Sequence, residues 1–367
     1  MSDSNTSAVV KKNILLYCAL SAQGGIESHI LSLAAVLCAA GHEVTIGAKW
    51  VDNRTFYDAE FARIGARLVV APSPGALLER QPLKKLGDML RTFRLYLELR
   101  STSFDLVALH AAGFAGRLLR RLAGPRGRVT YHEHVGAVAQ HLQRPAFRRL
   151  LAMCDFVTAN SRADVALLAP HGRRIVLLPA LTVVTAEPEP TRMPSGEGSF
   201  RVAFVGNLAA QEKGARKLWL LWSQSPPAGC SLHLFGPGAV SAEDPAPPPG
   251  VFVHGRFPRT ELARVFGQID LLVHPADQES LGLVLVEAMA FGVPFLCTRV
   301  GGMIDLAEGN ADAAFCANNQ KSLKGAILAM KARIECGEID SERLRRRYAD
   351  HFGTQSLGLR WTRLYGE

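Results

Sequence analysis

The sequence lacks the features that mark secreted, disulfide-bonded and membrane-spanning proteins. Its seven cysteines are odd in number, scattered and without a Cys-x-x-Cys pair, so we expect reduced thiols rather than a disulfide frame or a zinc ribbon. No apolar run reaches the roughly 20 residues that span a bilayer. The first residues, MSDSNTSAVVKKN, are polar and lead into no apolar secretory segment. These features predict a cytoplasmic protein.

Aromatic residues are scarce, and the positive charge is unevenly distributed. Phe, Trp and Tyr make up 7% of the chain, and the arginines lack the interleaved aromatics of nucleic-acid surfaces, so we expect no nucleic-acid partner. Residues 1–185 contain 23 Lys and Arg against 13 Asp and Glu, a balance of +10, whereas residues 186–367 contain 19 against 20, a balance of −1. The basic half predicts an acidic partner, either an anionic membrane surface or an anionic substrate.

The most informative stretch covers residues 269–305. Apolar runs at 269–273 and 294–298 flank a polar loop and a helical pattern from Gly282 to Phe291, which predicts strand, loop, helix and strand. Ligands of open parallel sheets bind beyond the carboxyl ends of strands, and a helix N-terminus suits a phosphate. Glu279 and Glu287 are eight residues apart, so we expect both carboxylates on nearly one face, with Glu287 about two helical turns in.

Two α/β units are predicted on either side of a linker. A strand at 13–18, a Gly24-Gly25 loop and a helix at 27–40 open the chain, and a second α/β pattern starts at residue 200. The Pro-, Gly- and Glu-rich segment between them predicts a linker. The expected organisation is a first domain at 1–185, a linker at 186–199, a second domain at 200–340 and a C-terminal helix at 341–367.

These motifs resemble the retaining glycosyltransferases of the GT-B fold, in the large family commonly numbered four (glycosyl transferases group 1). The resemblance rests on Glu279, seven residues, then Glu287, followed by Ala288-Met289-Ala290, Gly292, Pro294 and Gly301-Gly302. It implies an α/β structure of two Rossmann-like, doubly wound parallel-sheet domains facing a cleft, with a C-terminal helix that crosses back to the first domain. It also implies retaining transfer of a sugar from a nucleotide diphosphate sugar to a glycan or lipid-linked acceptor. Because no Asp-x-Asp occurs, we expect neither a cofactor nor a metal at the diphosphate.

The resemblance assigns roles to single residues. Glu279 is expected to bind the donor sugar hydroxyls, His132 to contact the sugar from the first domain, and Lys213 to stabilise the leaving diphosphate; these are the candidate catalytic residues. Glu287 is expected to bind the ribose. The expected donor-binding residues are Gly24, Gly25, Gly206, Asn207, Lys213, Arg256, Phe257, Glu279, Ser280, Leu281, Gly282, Leu283 and Glu287.

Three positions depart from the family pattern. Asn207 replaces an arginine and carries no charge, Glu133 replaces an aspartate, and Pro179-Ala180-Leu181 replaces Pro-Asn-Gly. These departures keep open a non-catalytic GT-B-fold protein that binds nucleotides or glycans. A nucleotide-sugar epimerase of the same fold is the less favoured alternative, because the two-glutamate stretch argues against it.

Two further patterns have competing interpretations. Residues 76–100 alternate apolar and basic residues at helical spacing, followed by five arginines at 117–128. This pattern is typical of a packed surface helix or of peripheral contact with the inner face of the cell membrane. His132 and His134 flank Glu133 and could begin a metal cluster, but no third ligand follows at zinc spacing, so we predict no metal site.

Overall fold

Each half of the chain forms its own parallel β-sheet in the computed structural model. The structure describes residues 10–21, 24–73, 75, 83–111, 115–134, 136–184, 199–240 and 246–367. Residues 186–198 of the predicted linker therefore lie outside the described residues. Within the described ranges no helix combines the length and the apolar character needed to cross a bilayer.

The first sheet has seven parallel strands in the order β3-β2-β1-β4-β5-β6-β7. Its strands are β1 (Asn13–Leu20), β2 (Glu43–Val51), β3 (Arg67–Val70), β4 (Phe104–Leu109), β5 (Ala123–His132), β6 (Phe156–Ala159) and β7 (Ile175–Leu177). Its helices are α1 (Gly25–Ala39), α2 (Arg54–Arg63), α3 (Lys84–Leu99), α4 (Ala115–Leu119), α5 (Val138–Leu142), α6 (Pro145–Met153) and α7 (Arg162–Leu168).

The second sheet has six parallel strands in the order β10-β9-β8-β11-β12-β13. Its strands are β8 (Phe200–Val205), β9 (Cys230–Phe235), β10 (Val251–Gly255), β11 (Leu271–His274), β12 (Phe295–Cys297) and β13 (Ala313–Phe315). The remaining helices are α8 (Ala215–Gln224), α9 (Leu262–Phe266), α10 (Leu283–Ala290), α11 (Met303–Ala307), α12 (Gln320–Glu335), α13 (Ser341–His351) and α14 (Leu359–Gly366).

Both sheets are buried on two faces, which explains why their central strands are nearly continuous apolar runs. In β1, Leu16 belongs to the core cluster on one face, and Leu15 and Tyr17 belong to the cluster on the other. Successive side chains of a strand point to opposite faces, so helices on both sides require apolar residues at every position. The strand order reverses between β1 and β4 and again between β8 and β11. Ligands bind at such switch points.

The predicted C-terminal helix at 341–367 consists of two helices, α13 and α14, and α14 returns to the first domain. Trp361 is fully buried in the core formed by β1 and α1, and its indole N–H donates to the Pro179 carbonyl at 2.9 Å. Arg360 donates to the Leu177 carbonyl at 2.8 Å. The doubly wound, two-domain architecture with a crossing helix is confirmed.

The segment that leaves β7 is held by side chains rather than by a sheet. The backbone N–H groups of Ala180, Leu181 and Val183 donate to Asn160 Oδ1 at 2.6 Å, His29 Nδ1 at 2.8 Å and Ser32 Oγ at 3.0 Å. Backbone donors outside a sheet still need acceptors when they are buried. The segment that replaces Pro-Asn-Gly is therefore anchored to both α1 and the end of β6.

The expected start of helix α10 is wrong. Helix α10 begins at Leu283 because Gly282 has a φ of +83°, which is incompatible with a right-handed helix. Glu287 therefore lies about one turn into the helix, not two. Of the expected helix at 76–100, the described part is Lys84–Leu99, and residues 76–82 lie outside the described residues.

Candidate active site

The carboxyl edges of the two sheets meet at the loop before α10. Gly136 of the first domain has a φ of +66°, and a side chain there would come within 2.6 Å of the Glu279 backbone. On the other side of the loop, Gly301 packs against the Glu279 carbonyl, and the Gly302 N–H donates to the Ser280 carbonyl at 2.7 Å. Glycines on both sides thus allow the backbone of Glu279 and Ser280 to lie between the domains.

Glu279 forms the centre of a buried charged network. Its Oε2 accepts hydrogen bonds from Lys213 Nζ at 3.0 Å and His274 Nε2 at 3.1 Å, and its Oε1 accepts from the Ser280 N–H at 3.0 Å. Burial raises the pKa of this carboxyl, but the hydrogen bonds and charges of His274 and Lys213 together lower it to about 2. Glu279 is therefore ionised at neutral pH, with its orientation set by three donors.

Lys213 reaches Glu279 because two loops of the second sheet pack together. Gly214 has a φ of +88°, and a side chain there would collide with the Pro275 carbonyl. The Asp277 N–H donates to the Glu212 carbonyl at 2.8 Å. These contacts bring the loop after β8 against the loop after β11, so the predicted pair Lys213 and Glu279 meets although 66 positions separate them.

Glu287 is bound by residues from both halves of the chain. Its Oε1 accepts from Thr182 Oγ1 and from Arg259 Nη1, each at 3.1 Å. Arg259 Nη1 also donates to Ser28 Oγ on α1 at 2.7 Å, and its other terminal nitrogen donates to Thr182 Oγ1 at 3.0 Å. Sequence reasoning missed Arg259 and Thr182, because neither belongs to the quoted motifs.

The glycine loop of the first domain faces the start of α10. Glu27 holds it, since its carboxylate accepts from the Ser21 N–H at 3.0 Å and the Gly24 N–H at 3.1 Å. A side chain at Gly25 would lie 3.5 Å from the Leu283 methyl group. The structure therefore brings together the predicted glycine loop and the predicted helix N-terminus.

Ser280 and Leu281 are buried at the domain junction. Asn160 Nδ2 donates to Ser280 Oγ at 2.6 Å and to the Glu133 carbonyl at 2.9 Å. The Arg162 N–H donates to Asp305 of the second domain at 2.8 Å. Asn160 thus links β5, β6 and the loop before α10. In the sequence it is only the residue before Ser161, the N-cap of α7, and this position does not reveal the role.

The remaining predicted donor residues border the loops after β8 and β10. Gly206 packs against Gly236, and a side chain at Gly236 would collide with the Gly206 carbonyl. Asn207 uses its Oδ1 to accept from the Ala209 N–H at 3.0 Å, which closes a local turn. Arg256 is exposed, and Phe257 is half-buried with its ring 6.1 Å from that of Phe235.

His132 lies at the end of β5 and is 1% exposed. Its Nδ1 is 2.8 Å from Thr158 Oγ1, and its ring is 5.2 Å from the Trp361 ring. Burial, with smaller contributions from neighbouring histidines, lowers its pKa well below the ordinary value, so the imidazole is neutral at neutral pH. Its proposed contact with the donor sugar stays a prediction.

Comparison with known proteins gives matches to both halves of the chain. The family model described as Glycosyltransferase Family 4 matches residues 23–180, and the one described as Glycosyl transferases group 1 matches residues 199–332. A GDP-mannose-dependent alpha-mannosyltransferase of Corynebacterium glutamicum is 28% identical over 302 residues, covering 77% of this chain and 70% of the relative. A D-inositol 3-phosphate glycosyltransferase of Arthrobacter is 28% identical over 334 residues, covering 76% of this chain and 75% of the relative.

Solved structures show the same fold over nearly the whole chain. Sucrose-phosphate synthase from Thermosynechococcus elongatus superposes with a TM-score of 0.75 at 19% identity, covering 96% of this chain and 98% of that one. The Anabaena protein HepE in complex with UDP-glucose superposes with a TM-score of 0.73 at 17% identity, with the same coverage of 96% and 98%.

Proposed function

Since this chain is a glycosyltransferase of the GT-B fold, we propose that it transfers a hexose from a nucleotide diphosphate sugar to a glycan or glycolipid acceptor with retention of anomeric configuration. The proposed setting is the synthesis of a cell-surface polysaccharide or lipopolysaccharide. The relatives named for GDP-mannose and for an inositol phosphate acceptor support a nucleotide-linked donor and a polar acceptor.

The observation that carries the proposal is the Lys213–Glu279 pair at the carboxyl edge of the second sheet. A departing diphosphate gains negative charge as the sugar bond breaks, and a fixed cation stabilises that charge in the transition state. Lys213 is 30% exposed on its side chain, so an incoming diphosphate can share its ammonium with Glu279. Lys213 and the backbone N–H groups of Leu281, Gly282 and Leu283 would hold the diphosphate without a metal.

Glu279 is proposed to recognise sugar hydroxyls rather than to attack the anomeric carbon. The two carboxyl groups of a retaining glycosidase flank the bond at about 5–5.5 Å, and one of them is a nucleophile. In this protein His274 and Lys213 both donate to Glu279 Oε2, and Glu279 Oε1 accepts from the backbone N–H of Ser280. An ionised carboxylate held in this way is suited to accept hydrogen bonds from hydroxyls.

Glu287 is proposed to bind the ribose of the nucleotide. Within the described residues both of its side-chain hydrogen bonds fall on Oε1, which leaves Oε2 to accept from a ribose hydroxyl. Arg259 keeps this carboxylate oriented. His132 and the Gly24-Gly25 loop would complete the site from the first domain, next to the sugar and the acceptor.

A lipid-linked acceptor agrees with the surface of the first domain. Along α3, Leu86, Met89 and Phe93 are 53%, 40% and 46% exposed. Together with Arg117 and Arg121 they line a shallow groove of about 430 Å³. Apolar side chains beside arginines are suited to peripheral contact with an anionic bilayer, and we propose that the protein meets its acceptor there.

The test is transfer by the purified protein from GDP-mannose and UDP-glucose, with detergent-solubilised membrane lipid as acceptor. We expect a product whose anomeric proton coupling matches that of the donor, and a rate that does not depend on added Mg²⁺ or Mn²⁺. A product of inverted configuration, or activity that EDTA abolishes and Mg²⁺ restores, would contradict the mechanism. If the protein neither hydrolyses nor transfers the sugar of either donor, its donor is a different nucleotide sugar.

A further inference from the structure

Four histidines from distant parts of the chain converge beneath the glycine loop. The rings of His29, His110, His132 and His134 have centroids 4.3–5.8 Å apart. His29 belongs to α1, His110 follows β4, and the other two lie at and just beyond the end of β5. Trp361 of the C-terminal helix closes the cluster, 5.1 Å from the His29 ring.

Three of these side chains can point nitrogen atoms at one position. The ligand atoms of His29, His110 and His134 all lie within 4.8 Å of one another. His110 Nδ1 and His134 Nε2 are 3.1 Å apart. Two zinc-bound imidazole nitrogens lie about 3.3 Å apart at bond lengths of about 2.0–2.1 Å, so small side-chain rotations would complete a three-histidine site.

His29 has to change its tautomer before its Nε2 can act as a ligand. Its Nδ1 accepts the Leu181 N–H at 2.8 Å, so in the neutral ring the proton lies on Nε2. That Nε2 is buried and has no hydrogen-bond partner among the described residues, and the same is true of His110 Nε2. Metal-bound histidines almost always donate the N–H of the second ring nitrogen to an acceptor, so ligation by His29 requires the Leu181 N–H bond to break.

Burial keeps the three imidazoles in their neutral form. Burial lowers the pKa of His29 to about 3, with the hydrogen bond from Leu181 acting in the opposite direction. Burial also lowers the pKa of His110 and of His134 well below the ordinary value. Neutral imidazoles have a lone pair for a metal and offer little competition from protons.

We propose that His29, His110 and His134 bind one transition-metal ion of the Zn²⁺ class. The ion takes the place of the His110–His134 hydrogen bond, whose proton moves to the second nitrogen of the ring that carries it, and the His29 proton moves from Nε2 to Nδ1 with loss of the Leu181 bond. Three histidines leave a fourth position for water. All three ligands lie in the first domain, and they do not include Lys213 or Glu279.

The ion would join α1 to the carboxyl ends of β4 and β5. Helix α1 begins at the Gly24-Gly25 loop, so the metal would fix that loop relative to the sheet. The predicted consequence is positional and does not involve a chemical step at the sugar. Metal binding and glycosyl transfer are therefore measured separately, and failure of one leaves the other intact.

The experiment uses the full chain without a polyhistidine tag, stripped with a chelator and titrated with Co²⁺ and then with Zn²⁺. We expect one equivalent of Co²⁺, seen as visible absorption of a four-coordinate ion, and its displacement by Zn²⁺. His110→Ala and His134→Ala should each weaken binding by at least tenfold. The matched control is His254→Ala, since His233 and His254 are 3.0 Å apart but form no three-ligand group in the described part of the chain.

A second measurement covers the case in which the variants fail to fold. X-ray absorption of the Zn²⁺-loaded wild-type protein should show three imidazole nitrogens at about 2.0–2.1 Å. Fewer than three imidazoles in that spectrum would overturn the proposal. So would binding of less than 0.2 equivalent by the wild-type chain, or equal Co²⁺ affinity in folded His110→Ala and in wild type.

Discussion

Arg259 donates a hydrogen bond to Glu287 at 3.1 Å and, through the same nitrogen, to Ser28 on the glycine-loop helix at 2.7 Å. The carboxylate predicted to bind the nucleotide is thus connected directly to the opposite domain. A change in the position of Glu287 on nucleotide binding would therefore be transmitted to α1 through Arg259. Neither residue alone indicates this coupling, because it depends on the contact between the two domains.

Replacing Glu287 should weaken nucleotide binding. Loss of a carboxylate that accepts ribose hydrogen bonds costs about 1.5–3 kcal/mol, so Glu287→Ala should raise the Kd of GDP or UDP roughly 10- to 150-fold by calorimetry. Glu335→Ala, at an exposed position of α12, is the control. Unchanged affinity in a folded Glu287→Ala protein would mean that the ribose lies elsewhere.

Lys213 and Glu279 should matter more for turnover than for binding of the free nucleotide. Lys213 meets charge that develops in the transition state, so Lys213→Ala should lower kcat by roughly 10²–10³. Glu279→Gln keeps the shape but loses the charge that His274 and Lys213 bind, and should lower kcat with little change in nucleotide Kd. Steady-state kinetics and calorimetry on the same preparations separate the two effects. Full transfer rates in both variants would contradict the assignment.

Glu279 should also make folding stability sensitive to acid. Its pKa is about 2 in the folded protein, below the ordinary value of 4.5. The ionised carboxylate therefore contributes stability that is complete above about pH 4.5 and is lost as the pH falls toward 2. At about 1.4 kcal/mol per pKa unit, the contribution is on the order of 3 kcal/mol at most.

Urea unfolding at several pH values checks this prediction. Glu279→Gln should lose less unfolding free energy than wild type between pH 5 and pH 2.5, because every other carboxyl group is the same in both proteins. Glu335→Gln should follow wild type. If the curves of Glu279→Gln and wild type run parallel, the carboxyl titrates normally in the folded protein.

Membrane contact should depend on the exposed residues of α3. Lys84 and Lys85 are exposed, whereas Arg91 approaches Asp88 at 3.7 Å and Arg94 donates to the Ser73 carbonyl. Each basic residue near an anionic surface contributes about 1 kcal/mol, and salt screens the attraction. We expect sedimentation with phosphatidylglycerol vesicles to fall in high salt and in the double variant Lys84→Gln, Lys85→Gln.

Two variants separate charge from apolar contact. Leu86→Ser with Phe93→Ser should weaken binding to the same vesicles, while Lys321→Gln with Arg346→Gln on the second domain should leave it unchanged. Equal sedimentation with neutral and anionic vesicles, or none with either, would show that α3 is an ordinary surface helix.

The sequence by itself determined the architecture and the second-domain motif. Apolar strand runs such as 14–18 and 202–205 predict buried parallel strands, because only a strand covered on both faces is apolar at every position. The pattern around Glu279 and Glu287 indicated the right loop and helix. The start of α10 could not be predicted in the same way. It depends on the positive φ of Gly282, which a glycine permits but does not require.

Only the tertiary structure decided which side chains meet at the site. Arg259, Asn160 and His274 are ordinary residues in sequence, and each gains its position from a contact between elements that are distant along the chain or from a loop that folds back. The histidine cluster shows the same limit, since His29 lies 81 positions from His110. Spacing along the sequence identifies metal ligands only when they share a helix or a loop. Here the strands of one parallel sheet end at a common edge, and that edge brings the histidines together.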